Sequence, residues 1–180
     1  GDVYKRQEHK AVLDTCAWMQ AKGFEVTYLQ PNPEGIITLD QVAATLRGDT
    51  LLVSLMQVNN ELGSVNDLTG IAALCRQHGV LSHTDAAQSF GKIAVDVQAM
   101  GVDMLSLSGH KIYGPKGIGA LYVRRQEGLA LEAQIHGGGH EMGMRSGTLP
   151  THQIVGLAAA AKLMQAELDS EYERIATLRD

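Results

Sequence analysis

The 180-residue chain lacks the features that mark several large classes of protein. Its two cysteines, Cys16 and Cys75, are too few for a disulfide scaffold. No apolar run approaches the roughly 18 residues that a membrane-spanning helix needs. Lys and Arg (15) are outnumbered by Asp and Glu (20), so nothing indicates binding to nucleic acid or to an anionic membrane. No secretory leader is recognisable, and we expect a cytoplasmic, reducing location.

The residues that are present predict a globular chain in which helices and strands alternate. Hydrophobic residues make up 44% and charged residues 19% of the chain, as in ordinary folded domains. Helices are predicted at residues 8–22, 41–47 (capped by Asp40), 68–77 (capped by Asp67) and from about 150 to the end. Strands are predicted at 25–29, 51–56, 80–84, 102–107 and 120–123. Strands separated by helices need crossover connections, so we expect an α/β fold with a mostly parallel sheet flanked by helices.

Polar residues follow three of the predicted strands. They are VNNE at 58–61, DAAQS at 85–89 and SGHK at 108–111. Ligands of parallel sheets bind at the carboxyl ends of the strands. We therefore expect these residues to converge on one rim.

Lys111 and Asp85 are the residues with the clearest chemistry at this rim. Lys111 lies in SGHKIYGPKG (108–117), where partial desolvation would lower its pKa and suit it for a Schiff base with an aldehyde. A buried carboxylate at Asp85 would need a positive partner, such as the protonated ring nitrogen of pyridoxal phosphate. Viewed alone, Lys111 could be a solvated surface lysine and Asp85 a helix cap.

Three further side chains could contact a flat cofactor of this kind. Gln88 and Asn60 could donate to a ring oxygen, and Asn60 could instead hold a substrate carboxylate. Each amide alone could equally be a turn residue. His9 opens the first helix and could stack on the ring, or it could simply begin the helix.

Anion-binding groups are also present, whereas no metal site is predicted. Ser108 and His110 flank the lysine and could hold a phosphate, and Thr148 precedes the last helix as a plausible anion contact. The segment HGGGHE (136–141) places three glycines between two histidines. Because that spacing binds metal only on a helix, which glycines disfavour, a flexible loop near the site or an interface is expected instead. Both cysteines fall on apolar faces of predicted helices and are interpreted as buried structural thiols.

Five motifs together resemble the cysteine desulfurases of the NifS/IscS-like group, within class V of the fold-type I pyridoxal-phosphate enzymes. They are EHKA (8–11), VNNELG (58–63), HTDAAQS (83–89), SGHKIYGPKG (108–117) and HGGGHE (136–141) through RSGT (145–148). The resemblance covers nearly everything from Glu8 onward. It implies the large cofactor-binding domain of a homodimeric enzyme that converts L-cysteine to L-alanine. Sulfur would pass through a cysteine persulfide to an iron–sulfur scaffold or sulfur-carrier protein.

The resemblance also implies a role for each candidate residue. Lys111 would form the Schiff base with pyridoxal phosphate and then move the substrate's alpha proton. Asp85 would pair with the pyridinium nitrogen, and Thr148 would reach the phosphate of the neighbouring subunit. The other cofactor contacts would be stacking by His9, binding of the ring oxygen or the substrate side by Gln88 and Asn60, and binding of the phosphate by Ser108 and His110.

The chain departs from the family's pattern at both ends. The phosphate-cradling Gly/Thr motif, the persulfide-forming cysteine and the substrate-binding arginine have no counterpart, and neither Cys16 nor Cys75 matches the catalytic cysteine. We interpret residues 1–7 (GDVYKRQ) as a foreign or disordered start, or else a natural flexible arm. Residues 8–149 are interpreted as a partial pyridoxal-phosphate-binding domain, and 150–180 as a long helix leading towards a missing C-terminal domain. On its own, the chain is expected to bind cofactor weakly and to desulfurate nothing.

Two other functions remain open at this point. One is a selenocysteine lyase or another class V aminotransferase. The missing cysteine loop would distinguish these enzymes from a cysteine desulfurase. The other is a non-catalytic subunit that keeps the fold and binds sulfur-transfer partners. An intact Lys111 together with Asp85 argues against the second, because a structural subunit needs neither.

Overall fold

The computed structural model describes residues 2–5 and 8–180. Strands and helices alternate along this part of the chain, with a 3-10 turn at Gly109–Ile112 between the last two strands. The strands are β1 (Asp2–Lys5), β2 (Val26–Leu29), β3 (Leu52–Ser54), β4 (Leu81–Asp85), β5 (Met104–Ser108) and β6 (Gly119–Val123). The α-helices are α1 (Lys10–Ala21), α2 (Leu39–Thr45), α3 (Leu68–Gln77), α4 (Val97–Met100) and α5 (Thr151–Arg179).

The strands form one six-stranded sheet in the order β2-β1-β3-β4-β5-β6. All neighbouring pairs are parallel except β5 and β6, which are antiparallel. The predicted mostly parallel sheet flanked by helices is therefore confirmed. The register pairs Ser54 with His83 and Asp85 with Ser106, so the carboxyl ends of β3, β4 and β5 lie side by side.

Strand β1 corrects the interpretation of the first seven residues. It pairs with β2 on one side and with β3 on the other, in parallel register. The expectation of a disordered start or a flexible arm is wrong for residues 2–5, which form a strand. Four residues are too few to show a period-2 pattern, and this strand is specified by its two neighbours. Residues 1, 6 and 7 lie outside the described residues, and the foreign origin of the segment stays a prediction.

The helix boundaries follow their capping residues. Helix α2 is capped by Thr38 rather than by Asp40, because Thr38 and Gln41 form a reciprocal capping box. Asp67 caps α3 as predicted. Helix α4 escaped prediction because it has only four residues; Asp96 caps it.

Two apolar clusters hold the helices against the sheet. The first joins α2, α3 and the β3 region and includes Cys75, and the second joins α3, α4 and the β5 region. Cys16 and Cys75 are 1% and 0% exposed, which confirms that both are buried. These clusters fix the sheet edge at which β3, β4 and β5 end.

Helix α5 lies against the loop that follows β5. The side-chain amide of Gln153 donates to the carbonyl of Lys116 at 2.7 Å. An added Cβ on Gly156 would lie 2.6 Å from Pro115 Cγ, so the helix backbone approaches this loop closely. None of the helices in residues 2–5 and 8–180 has the length and hydropathy needed to cross a membrane.

Candidate active site

A cleft of about 400 Å³ opens at the carboxyl ends of β3, β4 and β5. Every candidate residue from the sequence analysis except Thr148 lines it, so the residues that follow the three strands do converge. A larger groove of about 550 Å³ near Arg125 and Met142 is lined by none of them. The cleft is lined by His9, Met56, Asn60, Asp85, Ala87, Gln88, Ser106, Leu107, Ser108, His110 and Lys111.

Asp85 is the last residue of β4, and its side chain is half-buried at the cleft. Its Oδ1 accepts a hydrogen bond from the backbone amide of Ala87 at 2.8 Å, which fixes the carboxylate in an Asx turn. Its Oδ2 makes no hydrogen bond with the described residues. One oxygen therefore orients the group, and the other is available to a ligand. Asp85 caps a turn, and no α-helix follows it directly.

Lys111 lies in the 3-10 turn that directly follows β5. The neighbouring Ile112 is 1% exposed and anchors this turn in the core. Gly109 permits close packing here, because an added Cβ would lie 2.9 Å from Ile118 Cγ2. The predicted partial desolvation of Lys111 is wrong for this chain, since its side chain is exposed on an open side of the cleft.

Ser108 and His110 form a polar pair beside the lysine. Ser108 Oγ lies 2.8 Å from His110 Nδ1, and both residues line the cleft. Thr148 is exposed and lies outside the cleft, in the loop before α5. The resemblance assigns Thr148 to a neighbouring subunit's phosphate, so its position in a single chain does not test that role.

His9 both begins a helix and lines the cleft. Its Nδ1 accepts from the amide of Ala11 at 3.2 Å as the N-cap of α1, which leaves the ring proton on Nε2 when the ring is neutral. The adjacent Glu8 is buried, and its Oε1 accepts from the amide of Met56 at 2.9 Å. This bond ties the start of α1 to the residues after β3 and so helps to place His9. Glu8 was not predicted as a site residue, because an acidic residue at the start of a predicted helix looks exposed.

The two asparagines after β3 have different roles, one in a turn and the other at the cleft. Asn59 is buried, and its Oδ1 accepts from the amides of Glu61 and Leu62 at 3.0 and 2.9 Å. Asn59 is thus a turn residue, a role that the sequence analysis had left open for its neighbour Asn60. Asn60 is exposed and lines the cleft.

A row of hydrogen bonds crosses the sheet beside Asp85. Ser54 Oγ lies 2.7 Å from His83 Nδ1, and His83 Nε2 lies 3.2 Å from Ser106 Oγ, which borders the cleft. Burial lowers the pKa of His83, and the nearby Asp85 charge opposes that shift more weakly. This row was not predicted from the sequence, although His83 and Asp85 lie two residues apart on one strand and so share a face.

In the histidine-rich segment at 136–141, one side chain forms a hydrogen bond with a residue that follows the segment. His140 Nδ1 accepts from the amide of Gly147 at 3.3 Å. Among residues 2–5 and 8–180, no group of three or more His, Cys, Asp or Glu side chains is arranged to hold a metal ion.

A mostly parallel sheet with an amine and a carboxylate at the ends of adjacent strands is an arrangement in which α/β proteins bind ligands at the sheet edge. The chain belongs to the aminotransferase class-V family, whose model matches residues 3–179. This membership confirms the resemblance drawn from the five motifs. The family is dependent on pyridoxal phosphate.

Curated relatives within this family are cysteine desulfurases. The chain is 60% identical over 178 residues to "Cysteine desulfurase IscS" of Shewanella sp. (strain W3-18-1), covering 99% of this chain and 44% of that protein. The same name is carried by a Tolumonas auensis protein, 60% identical over 175 residues, with 97% and 43% covered. The chain therefore spans less than half the length of these curated relatives.

Solved structures share the fold. "SspA in complex with cysteine" is 50% identical with a TM-score of 0.86, covering 90% of this chain and 47% of that one. DndA from Streptomyces lividans is 44% identical with a TM-score of 0.88, covering 94% and 49%. A "NIFS-LIKE PROTEIN" is 36% identical with a TM-score of 0.93, covering 99% and 49%.

Proposed function

We propose that this chain is the cofactor-binding part of a pyridoxal-phosphate-dependent cysteine desulfurase. The observation that carries the proposal is the cleft that holds Lys111 and Asp85 together at adjacent strand ends. The 60% identity to curated cysteine desulfurases supports L-cysteine as the substrate and L-alanine as the product. As the resemblance implies, the complete enzyme is a homodimer that passes sulfur to an iron–sulfur scaffold or sulfur-carrier protein.

The donor set of the cleft suits pyridoxal phosphate. An aldehyde needs an amine, which Lys111 offers, and a pyridinium nitrogen needs an acceptor, which Asp85 Oδ2 offers. The phosphate needs donors, and the Ser108 hydroxyl and the His110 imidazole lie at the same edge. Thr148 is proposed to contact the phosphate bound by the neighbouring subunit.

When bound, the cofactor supplies an electron sink for the substrate's alpha carbon. Lys111 would hold the cofactor through Nζ, and once the substrate's amine had displaced it, the free Nζ amine would take up and return the alpha proton. Asp85 keeps the ring nitrogen protonated, because its charge stabilises the positive form. His9 would cover one face of the ring, and the amides of Gln88 and Asn60 would bind the ring oxygen or the substrate.

Sulfur transfer needs a reactive thiol, which neither cysteine of this chain provides. Both are buried, and burial raises the pKa of Cys75 to about 11, with the Asp103 charge adding to the shift. A thiolate is the nucleophile in persulfide formation, so such a group is inert near neutral pH. We assign the persulfide to a cysteine outside these 180 residues. The balance is then one L-cysteine and one thiol giving one L-alanine and one persulfide.

Addition of pyridoxal phosphate followed by L-cysteine tests the proposal. We expect a visible absorption band that is lost in Lys111→Ala and retained in Lys162→Ala, an exposed lysine of α5 outside the cleft. In the complete enzyme, which also carries the reactive cysteine, and with a thiol reductant present, L-cysteine should be consumed faster than other amino acids, with alanine as the product. A spectrum unchanged by Lys111→Ala would refute the assignment of the amine. In the complete enzyme, a Lys111-dependent band without alanine release would refute the desulfurase reaction, and preference for selenocysteine would indicate a selenocysteine lyase.

A further inference from the structure

Lys92 lies beside the cleft and is bonded to one of its lining residues. Its Nζ donates to Oε1 of Gln88 at 2.7 Å. An ammonium group can only donate, so this contact fixes which end of the Gln88 amide faces Lys92. Nε2 forms the other end, and it makes no hydrogen bond with the part of the chain that the structure describes. Gln88 lines the cleft, and its amide nitrogen is therefore an unused donor on a lining residue.

Two consecutive turns bring Gln88 and Lys92 together. The amide of Ser89 donates to the carbonyl of Ala86 at 3.2 Å, and the amide of Lys92 donates to the carbonyl of Ser89 at 3.0 Å. Ser89 is fully buried between them. The backbone thus sets the two side chains four residues apart in a fixed segment directly after Asp85.

The same segment packs against the turn that carries Lys111. Gly91 has a φ of +75°, and an added Cβ would lie 2.7 Å from Ile112 Cγ2 and 3.2 Å from Met164 Cβ. This close approach keeps Lys92 within electrostatic reach of Lys111. Burial lowers the pKa of Lys92, and the charge of Lys111 lowers it further.

We propose that Lys92 is a positioning residue that holds the Gln88 amide by its oxygen, so that Nε2 donates to the ring oxygen of pyridoxal phosphate. The inference rests on the proposed function, because the acceptor belongs to that cofactor. Without Lys92 the amide is free to rotate. Oε1 could then face the cleft and oppose the electron-rich ring oxygen.

The pH titration of the visible band of the loaded protein measures this effect without measuring activity. When the ring oxygen accepts a hydrogen bond from another donor, it holds the proton on the Lys111 nitrogen less strongly. That proton is then lost at a lower pH. Lys92→Met should therefore raise the pH midpoint of the band, by up to about one unit for a lost hydrogen bond. It should also weaken cofactor binding about three- to tenfold. Lys92→Arg keeps a charged donor and should stay within about twofold of the parent, and Lys162→Met should change neither quantity.

Removal of Gln88 separates positioning from a direct effect of the Lys92 charge. The other titratable groups at the cleft are His9, Asp85, His110 and Lys111, and all remain in every variant. If Lys92 acts through Gln88, Lys92→Met should produce no further shift in a Gln88→Leu background. An equal shift with and without Gln88 would show that the charge acts directly, and the inference would be wrong.

The remaining outcomes also decide the question. A midpoint unchanged by Lys92→Met would overturn the inference and leave the proposed function intact. The absence of a Lys111-dependent band in the parent protein would overturn the proposed function, and the inference would fail with it.

Discussion

Replacement of Asp85 by asparagine removes the charge at the cleft and leaves the shape of the side chain. In the parent, Oδ1 is taken by the amide of Ala87 at 2.8 Å, and Oδ2 is the atom proposed to meet the ring nitrogen. Asparagine has one oxygen for these two places. If the asparagine oxygen keeps its bond to the Ala87 amide, the NH₂ group faces the protonated ring nitrogen, and two donors oppose each other. If the side chain rotates instead, the oxygen faces the ring nitrogen and the turn at Ala87 is lost.

The expected loss follows from the kind of hydrogen bond that disappears. A hydrogen bond to a charged group contributes about 1.5–3 kcal/mol. Asp85 is half-buried, so solvent screens part of the interaction, and a value near the middle, about 2 kcal/mol, is appropriate. This corresponds to a roughly 30-fold weaker affinity for pyridoxal phosphate. Exchange of the substrate's alpha hydrogen should slow as well, because a neutral ring is a poorer electron sink.

Titration of the cofactor-free protein with pyridoxal phosphate, followed by absorption, measures the affinity. Deuterium uptake from D₂O into the alpha position of cysteine measures the second effect. Asp96→Asn is the matched control, because Asp96 caps α4 through the amides of Gln98 and Ala99 and asparagine caps as well as aspartate. Parent-like affinity and exchange in Asp85→Asn would refute the pairing of Asp85 with the cofactor.

Two further predictions concern the framework under the cleft. Asp103 is buried, and its Oδ2 accepts from the amide and the hydroxyl of Ser82 at 2.8 and 2.9 Å, so Asp103→Ala leaves two buried donors without an acceptor. We expect a loss of roughly 3 kcal/mol in the free energy of unfolding by urea, and a smaller loss for Asp103→Asn, which keeps an acceptor oxygen; equal stability of Asp103→Ala and the parent would contradict this. For His83, burial lowers the pKa below its ordinary value of 6.5, so the unfolded chain binds the proton more readily. The stabilisation is complete above about pH 6.5 and is lost as the pH falls below it, and His83→Gln should show a flatter decline of stability in acid. If stability declines in acid identically in His83→Gln and in the parent, His83 is not the source of the decline.

Local patterns were enough for most of the sheet and helices. The run after Asp67 has a clear cap and an apolar face, and it forms α3 from Leu68 to Gln77. The strand predicted at 80–84 formed β4, which runs from Leu81 to Asp85. Asp40 failed as a cap because two side chains competed locally, and Thr38 could form a reciprocal pair with Gln41. Short elements such as β1 and α4 contain too few residues for any period to emerge.

The candidate site was partly predictable for a related reason. Asp85, Asn60 and Lys111 each follow a strand predicted from the sequence, and parallel strands end at one edge, so their meeting follows from that order. Glu8 and His83 could not be found in this way. Their partners, Met56 for Glu8 and Ser54 for His83, lie 48 and 29 residues away in sequence.

The order of strands and the residues that follow them determined the α/β class and most of the cleft's lining, because both depend on short-range patterns and on the geometry of parallel sheets. Tertiary packing decided the rest. It placed β1 between two distant strands, buried Glu8, left Lys111 exposed and brought Lys92 to Gln88 through a turn pressed against Ile112. These outcomes depend on which atoms meet after the chain has folded, and no local sequence pattern encodes that.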